Sequence, residues 1–389
     1  MVRRAIATAL QTLGACGLLL LGCTSKSSSK NTTSSGGAGA TGGASGGSDA
    51  GSGASGGLGT GGSAGGSGSA GAGGNAGTGG QASLPVLVGT STISVPRGFA
   101  VSSSHAFVSG EPANPGGTAF TQIVLSTGAK NEFGAGALWG IAADDSGVYA
   151  ADFEGLRLFY GGISLANQID LSPRKPYLVA LTPSHVFLDD EQNASVSDIL
   201  SFKRSDGFMS VIATGVPTSW QLLADGTELF AAGYDAPTLH VLDTTAAPVA
   251  SPPAAFTATI GGAIRALAVN GTHIFASTWQ GSCSGSVAPS SAIYQLDRKS
   301  PGQNTALIEV PGISAMALSA THLYVAQLGP CNAPGQGSIR RSSLLTPDQF
   351  ETVVANQEVP EALVVRGSAL YWMNAGLSTS TVRVWRLDL

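Results

Sequence analysis

The chain has 389 residues, of which only 11% are charged and 55 are glycine, and its formal net charge is −5. A chain of this length forms one large domain or two ordinary ones. The thinly spread charge includes no basic stripe, so nothing in it argues for nucleic-acid binding or for electrostatic docking to a membrane.

Residues 1–22 have the parts of a bacterial export signal, because Arg3 and Arg4 form a positive region that the apolar stretch Ala5–Leu21 follows. The stretch ends in Leu-Leu-Gly before Cys23 and resembles the bacterial lipobox, with an aliphatic residue at position −3 and a small one at −1. The resemblance implies cleavage before Cys23, acylation of Cys23 by fatty acids such as palmitate, and a lipid anchor in the cell envelope. Thr24 follows, and Gram-negative lipoproteins without Asp at that place go to the outer membrane. The alternatives are a plain secretory signal and a second box that ends at Cys16.

Residues 23–83 comprise the cysteine to be lipidated and a tether made almost entirely of Gly, Ser, Ala and Thr. Such a segment has few side chains to bury, so we predict a disordered linker with an end-to-end distance of about 40–45 Å. Gly51–Gly56 matches a dinucleotide-binding fingerprint and Gly61–Gly65 matches a nucleophile elbow. Neither follows a strand, as each mechanism requires, so we interpret both as accidents of composition.

From residue 84 onward, one unit recurs seven times: a small apolar strand, a polar turn, and a second strand with an aromatic residue at a fixed place. A period of about 40–50 residues with several short strands per unit is typical of a β-propeller. We therefore predict one all-β domain over residues 84–389, a seven-bladed propeller. Equivalent positions in the seven units are Phe99, Ile141, Val179, Leu222, Leu267, Met316 and Leu363.

The number of blades depends on how the ring closes. The last unit runs through Val382–Leu387 and supplies only three strands, whereas the segment Pro85–Ser94 precedes the first unit as an orphan strand. Placing Pro85–Ser94 as the outer strand of the last blade completes seven blades and protects the strand edges. Without that assignment, a six-bladed propeller is the alternative.

The repeat resembles secreted bacterial propellers of the YWTD, TolB-like and streptogramin-lyase-like kinds over residues 84–389. Tyr371-Trp372-Met373-Asn374 is the nearest local match to YWTD. Most copies depart from that motif, so the resemblance implies the fold and carries no activity with it.

Histidine and cysteine are the first candidates for chemistry. Four histidines occupy one repeat slot at the turn into the second strand, which favours a structural role over a catalytic or metal site; they are His105, His185, His273 and His322. Cys283 and Cys331 follow the second strands of units five and six. Because export places them in an oxidising compartment, we predict a disulfide, with a reactive thiol at Cys283 as the alternative.

Acidic residues follow the second strands of units two to four, on the face that also carries the two cysteines. These are Asp152, Glu154, Asp189, Asp190, Glu191 and Asp235. We interpret them as solvated loop charges, with Ca²⁺ as the one candidate ion and no other cofactor or metal motif. Trp279 is a candidate recognition aromatic, or it packs over the disulfide. The predicted binding face thus consists of Asp152, Asp189, Asp190, Asp235 and Trp279, and no catalytic residue is assigned.

These observations favour a membrane-anchored, non-catalytic envelope lipoprotein whose propeller face binds a protein, peptide or glycan. Nothing in the sequence points to a nucleic-acid partner. The alternative is a lyase or hydrolase with a site at the central pore. A third hypothesis is an envelope protein whose propeller assembles only with its own copies.

Overall fold

The computed structural model describes residues 83–389, except residues 115, 135, 153–154, 161–163, 172, 194, 235, 260–261, 282–287, 331–334 and 376–380. The predicted export signal, Cys23 and all of the predicted tether except Ser83 lie outside the described residues. The part of the chain that the structure describes forms twenty-nine β-strands and no helix. None of these residues forms a helix that is long and apolar enough to cross a membrane.

The strands, numbered in chain order, form seven sheets within the described residues. The first strand, β1 (Val86–Ser91), belongs to the last sheet. Blade 1 contains β2 (Val95–Val101), β3 (His105–Glu111), β4 (Thr118–Val124) and β5 (Lys130–Gly134). Blade 2 contains β6 (Leu138–Asp144), β7 (Gly147–Asp152), β8 (Gly155–Tyr160) and β9 (Ser164–Asp170). Blade 3 contains β10 (Pro176–Leu181), β11 (His185–Asn193), β12 (Val196–Lys203) and β13 (Met209–Pro217).

The remaining blades follow the same order. Blade 4 contains β14 (Ser219–Asp225), β15 (Glu228–Gly233), β16 (Thr238–Asp243) and β18 (Phe256–Thr257), while β17 (Val249–Ala250) pairs in parallel with β13 of blade 3. Blade 5 contains β19 (Ala263–Val269), β20 (His273–Trp279), β21 (Ala292–Asp297) and β22 (Asn304–Glu309). Blade 6 contains β23 (Ile313–Leu318), β24 (His322–Gln327), β25 (Gly337–Ser343) and β26 (Phe350–Gln357). Blade 7 contains β27 (Pro360–Arg366), β28 (Ala369–Asn374), β29 (Val382–Asp388) and β1.

The sheets form a closed ring because the first strand of each blade contacts the first strands of both neighbouring blades, including β27 with β2. The core consists of apolar clusters, one at each of the seven blade-to-blade interfaces. The aromatic residue that the repeat places in each second strand is buried in every blade. These residues are Phe107, Tyr149, Phe187, Phe230, Phe275, Tyr324 and Tyr371. The propeller prediction is confirmed, and the described residues form seven blades.

Closure follows the predicted route, because β1 pairs antiparallel with β29 and completes the blade that the carboxyl end leaves with three strands. Val88 and Ile93 then pack in the cluster between blades 7 and 1. Ser91 adds a buried hydrogen bond of 2.6 Å between its Oγ and Oγ1 of Thr121 in blade 1. The segment that follows the tether is therefore a structural part of the ring.

The histidine slot lies at the first residue of the second strand, at the end of the propeller where β2 and its six equivalents finish. Each imidazole Nδ1 hydrogen-bonds the hydroxyl of the preceding Ser or Thr at 2.7–2.9 Å. Each backbone N–H donates to a side-chain oxygen three residues earlier in the turn. These contacts account for the histidines as parts of the hairpin turn.

Candidate functional site

Each of the seven inner strands carries a β-bulge near its beginning, where its pairing with the second strand shifts by one residue. A bulge adds an unpaired residue to one strand and redirects its side chain. The bulges occur two positions before the repeat positions aligned above, in every blade. The bulged residues, called here the axial row, are Arg97, Trp139, Tyr177, Trp220, Arg265, Ser314 and Glu361.

The aromatic residues of the axial row lie next to one another around the ring. Trp139, Tyr177 and Trp220 form an aromatic arc on blades 2 to 4, and an arginine flanks the arc on either side. The guanidinium carbon of Arg97 lies 4.3 Å from the ring centroid of Trp139, and that of Arg265 lies 3.8 Å from the ring of Trp220. Such cation–π contacts hold the arginine heads over the aromatic faces. Neighbouring bulges therefore touch across the boundary between blades 1 and 2 and across the boundary between blades 4 and 5.

A second set of side chains supports the axial row from the ends of the second strands. In blade 1, Arg97 pairs with Glu111 at 2.6 Å. In blade 3, Tyr177 hydrogen-bonds Glu191. In blade 4, Trp220 stacks on Tyr234, with 4.9 Å between ring centroids. In these three blades, the bulged residue of the first strand thus finds its partner near the end of the second strand of the same blade.

Blade 5 departs from this pattern in the type of partner. Trp279 stands in the place that Glu111 has in blade 1, since Val95 pairs with Glu111 and Ala263 pairs with Trp279. The guanidinium carbon of Arg265 lies 5.3 Å from the ring centroid of Trp279. The Nε atom of Arg265 is buried, and its N–H donates no hydrogen bond to any of the described residues. Burial lowers the pKa of Arg265 to about 10, and this leaves the side chain charged at neutral pH.

Glu361 on blade 7 is the acidic member of the axial row. Burial raises its pKa to about 7, and the positive charges of Arg265 and Arg97 oppose that shift. Burial also raises the pKa of Tyr177, with a further contribution from Glu191. A cluster of aromatic residues with a few convergent polar groups, some of which have shifted pKa values, is typical of a ligand-binding site. The beginnings of the inner strands are therefore the candidate functional site, called here the axial site.

The predicted acidic residues lie at this end of the propeller, but the interpretation as solvated loop charges is wrong for those that the structure describes. Asp152, Asp189 and Asp190 belong to strands β7 and β11 and are 4%, 0% and 0% exposed. They are buried because the second strand continues past the bulge and packs between neighbouring blades. Burial raises the pKa of Asp189 to about 6, while its carboxylate accepts a hydrogen bond from the N–H of Ser219.

Asp190 already has a full set of partners. Its carboxylate accepts hydrogen bonds from Arg174 at 2.9 Å, from the backbone N–H of Lys175 at 2.6 Å and from Gln192 at 2.7 Å. These contacts anchor the chain segment that leads into β10. Asp190 is therefore a structural residue that positions the inner strand of blade 3.

Several predicted residues lie outside the described part of the chain. Asp235, Glu154, Cys283 and Cys331 are among them, so the disulfide stays a prediction. Trp279 is described and lies at the axial site. Within the described ranges, no group of three or more His, Cys, Asp or Glu side chains is placed to hold a metal ion.

Sequence reasoning missed the axial row, although the signal was present. Aligning the seven units shows that the position two residues before each aligned residue changes from blade to blade between arginine, aromatic residues, serine and glutamate. The flanking positions are apolar or small in most units. When one position of a uniform repeat varies between charged, aromatic and polar residues, packing of the fold does not determine the residue at that position.

No family model matches the chain, and no curated protein matches its sequence. Its fold is similar to solved propellers. The propeller domain of Cps50 (Swd1) from Myceliophteria thermophila is 10% identical, covers 78% of this chain and 99% of its own, and has a TM-score of 0.53. The WD40 propeller of Doa1 is 11% identical, with coverages of 77% and 96% and a TM-score of 0.53. A chain of a mitotic checkpoint complex is 10% identical, with coverages of 79% and 95% and a TM-score of 0.56. Likenesses at this level of identity show the β-propeller fold alone.

Proposed function

We propose that this protein is a non-catalytic binding module that captures a protein or peptide partner at its axial site and is held in the cell envelope by a lipid on Cys23. The observation that carries the proposal is the axial row. Trp, Tyr and Arg dominate the binding energy of protein interfaces, and three of the five tryptophans of the chain lie at this site. One of the similar propellers belongs to a solved protein assembly, which is in keeping with such a role.

The geometry favours a peptide or protein over a glycan. A sugar ring binds by stacking on an open aromatic face. Trp220 contacts Arg265 and Tyr234, and Trp139 contacts Arg97 and, at 5.1 Å between ring centroids, Tyr177. The aromatic side chains thus serve to orient the arginines, whose N–H groups suit the acceptors of a polypeptide.

A photo-crosslinking experiment in the native envelope tests this proposal. A photoreactive amino acid is placed in the full-length chain at Ala375, which follows β28 at the axial end of blade 7. The matched control carries it at Leu345, which is 93% exposed in the turn between β25 and β26 at the opposite end. We expect a discrete crosslinked partner from position 375 and none from position 345. Equal capture at both positions, or capture from position 345 alone, would contradict the proposal.

Lipid anchoring is tested separately. Substitution Cys23→Ser removes the thiol that accepts the diacylglycerol, whereas Cys16→Ser preserves it. We expect only Cys23→Ser to move the protein from the membrane fraction to the soluble fraction and to abolish incorporation of radiolabelled palmitate. Retention of label in Cys23→Ser, or its loss in Cys16→Ser, would refute the assignment of Cys23.

The second candidate function is an enzyme with its site at the axis, and Glu361 is the observation that favours it. A carboxyl group with a pKa of about 7 is suited to proton transfer at neutral pH. The four histidines of the repeat slot lie at the other end of the propeller and do not contribute. Turnover of a crosslinked or co-purified partner by the wild-type protein, lost in Glu361→Gln, would establish the enzyme and displace the binding module.

A further inference from the structure

Arg97 is an axial arginine whose hydrogen bonds and ring contact are supplied by other residues of the propeller. Its guanidinium lies over Trp139 and donates two hydrogen bonds to one carboxylate oxygen of Glu111, from Nη2 at 2.6 Å and from Nε at 3.0 Å. The stacking aromatic comes from the next blade, and the carboxylate comes from the end of the second strand. One axial arginine therefore has both an aromatic contact and an anion.

Arg265 repeats half of this arrangement. It lies over Trp220 as Arg97 lies over Trp139, but Trp279 occupies the position from which Glu111 reaches Arg97. Among the residues that the structure describes, no carboxylate oxygen lies within 4.0 Å of the Arg265 nitrogens, and the buried Nε makes no hydrogen bond. Of the five donors of the guanidinium group, the buried Nε–H has no acceptor among the described residues, and burying a donor without an acceptor destabilises the fold. The site therefore holds a cation that lacks its anion.

Glu361 also lacks a direct partner, because the residue of blade 7 that corresponds to Glu111 has no polar side chain. The slot that Glu111 has in blade 1 is occupied by Ala375 in blade 7, because Pro360 pairs with Asn374 as Pro96 pairs with Gly110. Glu361 forms no ion pair or hydrogen bond with another described residue, although it feels the charges of Arg265 and Arg97. An unpaired carboxyl thus lies two blades from an unpaired guanidinium, at the same level of the ring.

We propose that Arg265 receives the free carboxyl terminus of a peptide, which enters the axial site end-on and takes the place that Glu111 has beside Arg97. This inference rests on the proposed binding function and names the group that is recognised. Arginine pairs with carboxylates through two parallel hydrogen bonds, and its stacking on Trp220 and Trp279 fixes the guanidinium group for that contact. Glu361 supplies an acceptor for the amide N–H groups of the same chain end.

The test uses three sets of probes on the purified full-length protein, with intrinsic tryptophan fluorescence as the readout because Trp220 and Trp279 contact Arg265. The first probe is a mixed library of N-acetylated tripeptides with free carboxyl ends. The second is the same library with amidated ends. The third is a series of oligogalacturonates, which carry carboxylates on sugars. We expect the free-acid peptides to bind roughly tenfold tighter than the amides, the effect of one charge-assisted pair.

Two variants and a control sharpen the test. Arg265→Lys keeps the charge and loses the two-pronged contact, so we expect the roughly tenfold preference for free acids to fall to about threefold. Trp279→Glu places a carboxylate where Glu111 stands in blade 1, and we expect it to occupy Arg265, block the acid probes and raise the thermal midpoint. A raised midpoint separates this result from misfolding. Arg341→Lys, in the exposed pair with Glu351, is expected to behave as wild type.

Equal binding of acids and amides, or unchanged binding by Arg265→Lys, overturns the inference. Binding of the oligogalacturonates alone also overturns it and assigns the site to acidic glycans. Failure of every probe to bind overturns the inference as well, while capture of a partner from position 375 in the envelope would leave the proposed binding function standing.

Discussion

The closing strand offers the sharpest test of the ring, because it joins the first described residues to the last blade. Val88 is 8% exposed and Ile93 is 0% exposed, and both pack in the cluster between blades 7 and 1. Val86 lies on β1 with Val88 and is 61% exposed, whereas Ile93 follows the end of that strand by two residues. Truncating these side chains to alanine therefore compares buried and exposed positions of one short segment.

The expected cost follows from what each truncation removes. Ile93→Ala empties a fully buried site and should lower the free energy of unfolding by about 2–5 kcal/mol. Val88→Ala removes two methyl groups from a nearly buried site, at a cost of about 1.5 kcal/mol. Val86→Ala should stay within about 0.5 kcal/mol, as exposed substitutions do. The double variant Val88→Ala/Ile93→Ala should lose the sum, about 3.5–6.5 kcal/mol, if the two sites act independently.

Urea denaturation followed by tryptophan fluorescence measures these differences. All five tryptophans of the chain lie in the ring that the segment closes, so the signal reports opening of the propeller. If residues 85–94 did not pack against blades 7 and 1, all three single variants would match wild type. Equal midpoints for all three single variants would therefore refute the packing of β1 and Ile93 in the cluster between blades 7 and 1.

Three further outcomes follow from the described contacts. Arg298 joins blade 5 to two carboxylates of blade 4, so Arg298→Ala should destabilise the protein by about 1–2 kcal/mol, whereas Arg341→Ala should cost under about 0.5 kcal/mol in the same urea titration. Burial raises the pKa of Asp189 to about 6, so its ionisation weakens the fold as pH rises from about 4 to 6. Asp189→Asn should therefore be more stable than wild type by about 1–3 kcal/mol at pH 8 and no more stable at pH 4; an equal gain at both values would contradict the pKa shift. A Cβ at Gly110 would meet the carbonyl oxygen of Val95, so Gly110→Ala should lower the thermal midpoint by the equivalent of about 1–3 kcal/mol, while Gly136→Ala, with open space, should leave it unchanged.

The architecture was predictable because the same pattern of hydrophobic residues recurs in every blade. The aromatic residue of each second strand and the small apolar residues around it are demanded by packing between blades, so every copy carries them. The closing strand was predictable for a related reason, since a three-stranded last blade would leave an open edge beside an unused apolar segment. The structure adds the register, the seven interface clusters and the extra strand β17.

The axial site was not predictable from the same signals. A β-bulge changes the direction of one side chain without changing the alternation of its neighbours, so Arg97 and Arg265 look like ordinary polar positions in a strand. The acidic residues were misplaced for a similar reason. Asp189 and Asp190 follow an apolar run and suggest its end, whereas β11 continues to Asn193 and buries both carboxylates. Charge after an apolar run predicts exposure only when no second sheet covers the strand.

The central claim is that the axial site, which includes Trp279 beside the axial row, binds the ligand, and the tryptophan side chains test it directly. The indole N–H resonances of ¹⁵N-tryptophan-labelled full-length protein are recorded while the free-acid peptide library is added. We predict that Trp139, Trp220 and Trp279 shift, whereas Trp372 and Trp385, which pack in and on blade 7, keep their positions. Shifts confined to Trp372 and Trp385, or none among the three axial residues while the library binds, would contradict the account.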